Sequence, residues 1–482
     1  MLKKITCLES NTLRNAIEII DKNAKGVCFI VDENNKLKGI LTDGDIRRAL
    51  LKNAELRSNV KDHMNKQFLS LPIDSDIDLV NKYLQKKKYN IIPLCNIKGE
   101  VVDFADRDHV RSIPILSPSL IGNELRYLTD CISTNWISSK GKYVKKFENI
   151  FEELHPNYYA IAVSNGTTAL HLALEALGIG SGDEVIVPNL TFAATINAVL
   201  YCNAEPVLCE IDKNTWCIDE NSISSLISSK TKAIIPVHLY GYPANMNVIS
   251  KIANDKNLFV IEDCAEAIGT KVGNKRVGTY GDCSTFSFFG NKTITTGEGG
   301  MVLFKNKENY EKGILLRDHG MSKTKKYWHE IVGFNYRMTN LQAAVGVAQM
   351  ERFEKIVQKK QEIFKFYNKN LVNLEGIFKL PLNSEGIFNS SWLYTLILEP
   401  IINRENLINE LNQLGIECRP AFCSLSEMPP YKHFKKSSNF ENCNMLSKKG
   451  ISLPCSTSLN KIQLKFIVKA FSKVLKNNLK KI

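Results

Sequence analysis

The sequence lacks the features that mark several large classes of protein. No run of apolar residues approaches the roughly 18 to 20 that a transmembrane helix needs. The N-terminal stretch has no apolar core followed by a small-residue cleavage site, so we expect no signal peptide. The thirteen cysteines include no CxxC pair, which favours reduced thiols and a cytoplasmic location. No spacing of His, Cys and Asp predicts a metal site.

Lysines are plentiful, but they are not arranged as in a nucleic-acid-binding surface. The net charge is +13, yet the lysines occur in short groups such as 86–88 with acids between them. We therefore predict no nucleic-acid partner and interpret the excess charge as solvated surface, with a phosphate-bearing small substrate accounting for part of it. The length of 482 residues and the hydrophobic fraction of 44% predict roughly two to four soluble globular domains.

Residues 1–112 have the pattern of one small unit that occurs twice. In each copy a helix precedes a strand, a turn and a second strand, centred on 27–41 in the first copy and on 90–104 in the second. An acidic stretch follows the second strand in both copies. We therefore predict a tandem α+β module at the N-terminus.

The segment KGILTDGDIRR (38–48) resembles a CBS domain, a module that binds adenosyl ligands. The resemblance implies that Thr42 and Asp45 hold the ribose of a nucleotide, with adenine or cytidine nucleotides as candidates. The second copy, which reads DFADRDHV, departs from the pattern because it lacks the Gly and the Thr. A structural or dimerising role for the pair is therefore an open alternative to nucleotide binding.

Beyond a proline- and serine-containing linker at 109–122, helices alternate with near-continuous apolar strands. This alternation predicts a largely parallel sheet with helices on both faces, followed from about residue 351 by a smaller α+β domain. Ligands bind such sheets at the carboxyl ends of the strands. The predicted strands are 159–163, 184–187, 206–211, 233–237, 258–261, 285–289 and 301–304.

Polar residues occur at several of these strand ends, and Lys292 is the most informative. It follows a buried strand and stands among small and hydroxyl residues in TFSFFGNKTITTGEGGM (285–301), as a partly desolvated Schiff-base lysine would. Taken alone, a surface lysine in a glycine-rich turn is the better interpretation. Asp263, at another strand end, would keep the nitrogen of a pyridine ring protonated. Further polar groups stand at 164–168, 189–192 and His238.

Eight ordered segments resemble the DegT/DnrJ/EryC1/StrS family, the sugar aminotransferases of fold type I that depend on pyridoxal 5'-phosphate (PLP). The resemblance implies a mostly parallel seven-stranded sheet in a PLP-binding large domain over 113–350, and a small C-terminal domain over 351–482. The segments are WISSKGKYV (136–144), VSNGTTALHLAL (163–174), GDEVIVPNLTFAATINAV (182–199), TKAIIPVHLYGYPANM (231–246), VIEDCAEAIGT (260–270), STFSFFGNKTITTGEGGMV (284–302), LRDHG (316–320) and GFNYRMTNLQAA (333–344).

The resemblance also implies roles for single residues. Lys292 would form the Schiff base and act as the general base, with pyridoxamine phosphate (PMP) as the intermediate. Asp263 would pair with the pyridine nitrogen, and Glu266 would lie near the ring hydroxyl. Phe192 would stack on the ring, with a place in the apolar core as the alternative. The phosphate is expected at Gly166, Thr167 and Ser287, with Asn335 supplied by the partner subunit of a homodimer.

Lysine at position 292 favours transamination, since the dehydrating members of the family carry histidine there. The expected cycle takes an amino group from L-glutamate to a nucleotide-linked 4-keto-6-deoxyhexose. Segments 287–300 and 327–340 look most like those of the perosamine-forming members, which convert GDP-4-keto-6-deoxy-D-mannose to GDP-perosamine for surface polysaccharide such as O-antigen. UDP- or dTDP-linked sugars, a PMP-dependent dehydratase and an inactive nucleotide-sensing regulator are the alternatives. The candidate substrate contacts are His319, His329, Arg337 and Arg419.

Overall fold

The computed structural model describes residues 5–73, 75, 77–85, 90–106, 113–381, 385–434 and 440–480. The lysine group at 86–88 and the start of the predicted linker at 109–112 lie outside the described residues. The chain divides into two compact units, one formed by 1–113 with 412–416 and the other by 114–411 with 417–482. Among the described residues, no helix has the length and apolar character that a membrane span requires.

The first unit contains two three-stranded sheets of the same design. In each sheet the first strand is parallel to the second, and the second is antiparallel to the third. The repeat that the sequence predicts is therefore present. The described elements are β1 (Thr6–Leu8), α1 (Leu13–Asn23), β2 (Val27–Val31), β3 (Leu37–Thr42), α2 (Asp43–Leu51), a 3-10 turn (Val60–Asp62), β4 (Leu71–Pro72), α3 (Ile77–Gln85), β5 (Ile91–Cys95) and β6 (Val101–Asp106).

Side chains of both copies meet in one of the apolar clusters of this unit. Every residue of β2 is buried, which explains why its sequence is continuously apolar and does not alternate. Phe29 of the first copy meets Phe104 of the second edge-on, with ring centroids 6.2 Å apart. Val31 and Val101 belong to the same cluster. The repeat thus buries apolar surface that a single copy would leave exposed.

The remainder of the chain has the alternation of helices and strands that the sequence predicts. Its strands are β7 (Tyr159–Val163), β8 (Glu184–Pro188), β9 (Glu205–Cys209), β10 (Thr231–Ile234), β11 (Phe259–Asp263), β12 (Lys271–Val272), β13 (Lys275–Arg276), β14 (Cys283–Ser287), β15 (Gly300–Phe304), β16 (Ile377–Lys379), β17 (Ile387–Phe388), β18 (Tyr394–Leu398), β19 (Arg419–Pro420) and β20 (Gly450–Leu453). Its helices are α4 (Glu124–Ser133), α5 (Lys142–Leu154), α6 (Gly166–Leu177), α7 (Ala194–Tyr201), α8 (Glu220–Leu226), α9 (Met246–Lys256), α10 (Lys307–Arg317), α11 (Asn340–Met350), α12 (Phe353–Leu371), α13 (Arg404–Gln413), α14 (Glu441–Lys449) and α15 (Lys461–Lys480), with 3-10 turns at Leu239–Gly241 and Leu425–Glu427.

A seven-stranded sheet in the order β7-β15-β14-β11-β10-β8-β9 forms the centre of the second unit. Its strand pairs are parallel except that β15 is antiparallel to both β14 and β7. This arrangement confirms the predicted mostly parallel sheet. A second, four-stranded antiparallel sheet, β16-β18-β20-β19, is built from the C-terminal part of the chain, as predicted for a smaller α+β portion.

Aromatic residues fill the core on one side of the large sheet. Phe147 and Phe151 of α5 pack against Phe286 and Phe288, with ring centroids about 5 Å apart. These side chains are at most 1% exposed. Their packing fixes β14 and the residues just after it, which lead directly to Lys292.

Candidate active site

Lys292 lies in the loop between β14 and β15, and its side chain is 13% exposed. Its Nζ is 3.5 Å from Oε1 of Glu266 and 4.1 Å from the ring centroid of Trp392. The indole N–H of Trp392 donates to the carbonyl oxygen of Asn291 at 2.9 Å, and the indole stacks on Tyr240 with centroids 6.2 Å apart. The amine is therefore held between a carboxylate and an aromatic face, and is not the freely solvated lysine of a surface turn.

Asp263 ends β11 and is 4% exposed. Its Oδ2 accepts a hydrogen bond from the Thr195 hydroxyl at 2.9 Å, and its Oδ1 accepts one from the Ala265 N–H at 3.1 Å. Burial raises the pKa of Asp263, while these two hydrogen bonds and the Lys292 charge act in the opposite direction. Because a carboxylate has about four acceptor sites, it can still accept from a cationic N–H group.

Glu266 is a second buried carboxyl group in this region, and it is also 4% exposed. Its Oε2 accepts from the backbone N–H of Tyr240 at 2.9 Å. Burial raises the pKa of Glu266, and Asp263 adds to that rise, whereas Lys292 opposes it. Two buried carboxyl groups thus face a single lysine, and one further positive group would balance their charge.

The turn between β7 and α6 has the geometry of an anion-binding corner. Asn165 caps α6: its side chain accepts from the Thr168 N–H at 2.9 Å, and the Thr168 hydroxyl accepts from the Asn165 N–H at 3.2 Å. The first N–H groups of a helix lack intrahelical acceptors and favour anions, and here they include those of Gly166 and Thr167. A Cβ at Gly166 would lie only 2.7 Å from the Cβ of Ser287, so glycine permits this close approach.

Phe192 is not a core residue, because its side chain is 60% exposed. Its ring centroid lies 6.0 Å from that of Phe422, and Phe422 in turn stacks on Tyr240 at 5.5 Å. Tyr240 is the residue that stacks on Trp392. A row of aromatic rings therefore leads from Phe192 to the lysine, which excludes the core alternative for Phe192.

The other predicted site residues of this unit are wholly or partly exposed; they are His319, His329, Asn335, Arg337 and Arg419. Among the described residues, no hydrogen bond or ion pair joins them to Lys292 or Asp263. Asn335 forms a backbone bridge with Asp318, the Arg337 side chain pairs with Asp318, His329 Nδ1 lies 2.9 Å from the His319 carbonyl oxygen, and Arg419 pairs with Glu417 at 2.8 Å.

In the first unit, Thr42 and Asp45 are paired with each other. Thr42 caps α2: its hydroxyl donates to Oδ2 of Asp45 at 2.6 Å and accepts from the Asp45 N–H at 3.2 Å. Arg48 pairs with the other carboxylate oxygen of Asp45 at 2.6 Å. A ribose at this position would therefore have to compete with the helix cap and with an arginine.

Residues 118–472 match the model of the DegT/DnrJ/EryC1/StrS aminotransferase family. The chain belongs to this family. The aminotransferase also matches the CBS domain model over residues 1–52, which is the first copy of the N-terminal repeat. A PLP-dependent aminotransferase with an N-terminal CBS module is therefore what the sequence encodes, as predicted.

Three relatives illustrate the similarity of the aminotransferase to known proteins. The GDP-perosamine synthase of Escherichia coli O157:H7 is 45% identical over 363 residues, which are 75% of this chain and 98% of that protein. The GDP-perosamine synthase of Vibrio cholerae is 44% identical over 357 residues, 74% of this chain and 97% of that protein. A solved chain from Streptococcus pneumoniae, named as the sugar aminotransferase Spr1654 in its PMP form, has a TM-score of 0.73 at 26% identity and covers 77% of this chain and 99% of its own. The PLP form of that protein has a TM-score of 0.72.

The residues of the aminotransferase fit PLP on the geometry already described. The buried Asp263 can accept from a ring N–H, and the corner at Gly166 and Ser287 can accept a phosphate. Lys292 lies between Glu266 and Trp392 with its amine available to an aldehyde. The two buried carboxyl groups supply the negative charge that a protonated pyridine ring would balance.

Three contacts in this site were missed by the sequence reasoning. Trp392 and Tyr240 are aromatic residues near predicted strands, where a core position is the ordinary interpretation, and Trp392 comes from the C-terminal part of the chain. Thr195 carries the hydroxyl bound to Asp263, and its place in NLTFAATINAV, three residues after Phe192, was the available signal. None of the three has a spacing relation to Lys292 that would have identified it.

Proposed function

We propose that this aminotransferase moves the amino group of L-glutamate to the 4-keto carbon of GDP-4-keto-6-deoxy-D-mannose, giving GDP-perosamine for surface polysaccharide. The substrate is inferred from the two relatives named GDP-perosamine synthase, which this chain matches over 97% and 98% of their lengths. The observation that carries the chemistry is the position of the Lys292 amine, 3.5 Å from Glu266 and 4.1 Å from the Trp392 ring.

Each residue has a distinct proposed task. When bound, PLP supplies an electron-withdrawing ring that stabilises negative charge on the amino-bearing carbon. Asp263 keeps a proton on the ring nitrogen, and its burial makes that charge pair stronger than it would be in water. The Lys292 Nζ holds the cofactor and, once released, moves a proton to and from the substrate carbon as general base. Glu266 holds the ring hydroxyl side of the cofactor, next to Lys292.

The remaining cofactor contacts orient the ring. The N-terminus of α6, with Gly166 and Thr167, binds the phosphate together with the Ser287 hydroxyl. Phe192, which is exposed in the chain, covers one face of the ring. A large aromatic surface left open to solvent is consistent with a ligand that covers it.

Three further assignments belong to this proposal. The enzyme works as a homodimer in which Asn335 of each chain completes the partner's phosphate site, since Asn335 is exposed and has no bond to its own Lys292 among the described residues. It is cytoplasmic, in keeping with thirteen cysteines that are all thiols. The CBS pair over 1–112 regulates or orients the catalytic part over 113–350 and 351–482, either as a structural or dimerising module or by binding an adenine or cytidine nucleotide, which at Thr42 and Asp45 would have to displace the contacts of the helix cap and of Arg48.

The test incubates the purified holoenzyme with L-glutamate together with a GDP-, UDP- or dTDP-linked 4-keto-6-deoxy sugar, one sugar in each reaction, and identifies the products by mass. We expect the amino sugar from the GDP-linked substrate. Lys292→Ala should abolish both the product and the glutamate-dependent bleaching of the cofactor's visible band, whereas Lys305→Ala, at an exposed lysine, should retain both.

The outcomes separate the parts of the proposal. Turnover of a UDP- or dTDP-linked sugar in place of the GDP-linked one would refute the sugar assignment and leave the transamination intact. Turnover by Lys292→Ala at the wild-type rate would refute the role of the lysine. Dehydrated product in place of an amine would point to the alternative reaction.

A further inference from the structure

A second cluster of ionisable side chains lies where α6 meets α7, apart from the groups around Lys292. His171 and Glu175 are four residues apart on α6, and Cys202 directly follows α7. A ring nitrogen of His171, a carboxylate oxygen of Glu175 and the Cys202 Sγ all lie within 4.8 Å of one another. His171 and Cys202 are buried, whereas the Glu175 side chain is 31% exposed. The proposed transamination uses none of the three.

The histidine of this cluster has a buried nitrogen without a hydrogen bond among the described residues. Its Nδ1 is 2.9 Å from the Tyr336 hydroxyl, but its Nε2 has no hydrogen-bond partner even though Oε1 of Glu175 is 3.4 Å away. His171 is only 5% exposed. If Nδ1 donates its proton to Tyr336, Nε2 directs a lone pair towards a carboxylate. In that tautomer the contact is repulsive unless a cation lies between the two atoms, whereas in the opposite tautomer Nε2 carries a proton and faces the carboxylate at 3.4 Å.

The separation of the ligand atoms matches tetrahedral coordination. Nitrogen and oxygen ligands about 2.0 to 2.2 Å from a tetrahedral Zn²⁺ ion lie about 3.4 Å apart. The observed distance from His171 Nε2 to Glu175 Oε1 is 3.4 Å. A tetrahedral metal lies off the line that joins its two ligands, so the two ligand atoms need not point at each other.

We propose that His171, Glu175 and Cys202 bind one Zn²⁺ ion, with a water molecule as the fourth ligand. The mixed nitrogen, oxygen and sulfur donors suit Zn²⁺ and not Mg²⁺ or Ca²⁺, which prefer oxygen alone. A carboxylate, a thiolate and a neutral imidazole neutralise the two charges of the ion. The exposed side of Glu175 leaves room for the water. The contact from Nδ1 to Tyr336 fixes the ring, as outer partners of zinc-bound histidines do.

The thiol must lose its proton when the metal binds. The thiolate, and not the thiol, is the form of cysteine that binds a metal ion. Metal binding therefore releases one proton, and affinity should increase with pH.

Another cluster of similar composition shows, by contrast, a histidine whose two ring nitrogens both have partners. His238, Glu262 and Cys264 also lie close together. There, however, His238 Nδ1 accepts from the Ala244 N–H at 3.0 Å, and its Nε2 is 3.1 Å from Glu262. Glu262 also accepts from three backbone N–H groups, including that of Gly278 at 2.8 Å. No donor atom of that histidine is left for a metal, so the proposal is confined to the α6–α7 cluster.

The proposed role is structural. The ion would join α6, whose first turn forms the anion-binding corner, to the end of α7, which carries Thr195. We therefore expect the metal to raise the melting temperature and to slow the loss of PLP, without entering the chemistry. The site does not depend on the identity of the sugar.

The test strips the holoenzyme with a chelator and titrates it with Co²⁺, using the Zn²⁺-loaded protein as the spectral reference so that PLP absorbance cancels. We expect one Co²⁺ per chain, the intense visible bands of a tetrahedral ion and a near-ultraviolet band from thiolate to Co²⁺. Cys202→Ser should lose the thiolate band, and both Cys202→Ser and Glu175→Gln should weaken binding by at least about tenfold. Cys423→Ser, at the exposed cysteine, is the matched control and should change neither.

Each result decides the matter. Failure to take up one Co²⁺ per chain would overturn the proposal, as would a thiolate band that survives Cys202→Ser. If loss of the buried thiol prevents folding, Glu175→Gln is sufficient, because its partly exposed side chain can be exchanged without opening a cavity. Unchanged affinity in that variant would also exclude the site.

Discussion

The hydroxyl of Thr195 offers the sharpest test of how the site controls ionisation. Thr195 and Asp263 are both at least 96% buried, and the Thr195 hydroxyl donates to the carboxylate at 2.9 Å. Thr195→Val replaces the hydroxyl by a methyl group of nearly the same size, so that the packing is kept and the hydrogen bond is lost. Burial raises the pKa of Asp263 and this hydrogen bond lowers it, so the substitution should raise that pKa further.

The size of the shift follows from the strength of the bond. A hydrogen bond to a charged group contributes about 1.5 to 3 kcal/mol. Since one pKa unit corresponds to about 1.36 kcal/mol, the pKa of Asp263 should rise by about 1 to 2 units. Asp263 must be ionised to hold a proton on the ring nitrogen. As the solution is acidified, the variant should therefore lose activity at a higher pH than the wild type does. At alkaline pH its activity should recover.

The assay is the pH dependence of kcat/KM, which reports ionisations of the free enzyme. We expect the acidic limb of the Thr195→Val profile to move up by about 1 to 2 pH units, with near wild-type activity above it. Asp263→Asn should be impaired at every pH. Thr285→Val, at a buried threonine whose hydroxyl contacts a backbone carbonyl, is the control and should leave the limb in place. A limb that does not move, or a loss that is equal at all pH values, would refute the reasoning.

Three further predictions concern other contacts. Gly166→Ala should weaken PLP binding at least about tenfold in equilibrium dialysis, because its Cβ would lie 2.7 Å from the Ser287 Cβ. Gly290→Ala is the control and should not weaken binding, because the space at its Cβ is open. Equal losses of affinity in the two variants would contradict this prediction. Trp392→Phe keeps an aromatic face over the site lysine but removes the indole hydrogen bond, and should cost about 0.5 to 1.5 kcal/mol of stability in denaturant titration; no loss would mean that the bond is not formed. Burial lowers the pKa of His155 to about 4. Above pH 6.5 this histidine is neutral in both states, and as the pH falls towards 4 the free energy of unfolding should decrease by about 3 kcal/mol, because the unfolded state binds the proton more readily. His155→Phe should accordingly have a melting temperature less sensitive to pH in this range, and an identical slope to wild type would rule the assignment out.

Much of the site could be predicted because parallel strands end at one edge of a sheet. Asp263, Lys292 and the turn at Gly166 each follow a strand whose apolar sequence is unmistakable, and the structure places all three at that edge. Helix α6 begins three residues before the predicted start at 169 because Asn165 and Thr168 form a reciprocal cap. In sequence, the same residues could form either a loop that precedes the helix or the first turn of the helix itself.

The remaining contacts depend on packing between distant segments. Trp392 reaches Lys292 because the C-terminal part of the chain folds back against the large sheet, and no local pattern records that distance. The sequence also does not predict that β15 is antiparallel to its neighbours, since an apolar run has the same composition in either orientation. His171 and Cys202 looked like ordinary core residues, and their proximity depends on the crossing of two helices.

The antiparallel direction of β15 has a consequence for how the protein folds. Ser287 pairs with Gly300, so the loop that carries Lys292 leaves the sheet and returns to it at one pair of neighbouring residues. This is a local closure, which forms rapidly because little chain entropy is lost. The pairing of Val163 with the same Gly300, by contrast, joins residues far apart in the chain and costs more chain entropy, so it should form later. During folding the lysine should thus be in place before its phosphate corner, and cofactor capture would report the last of these steps.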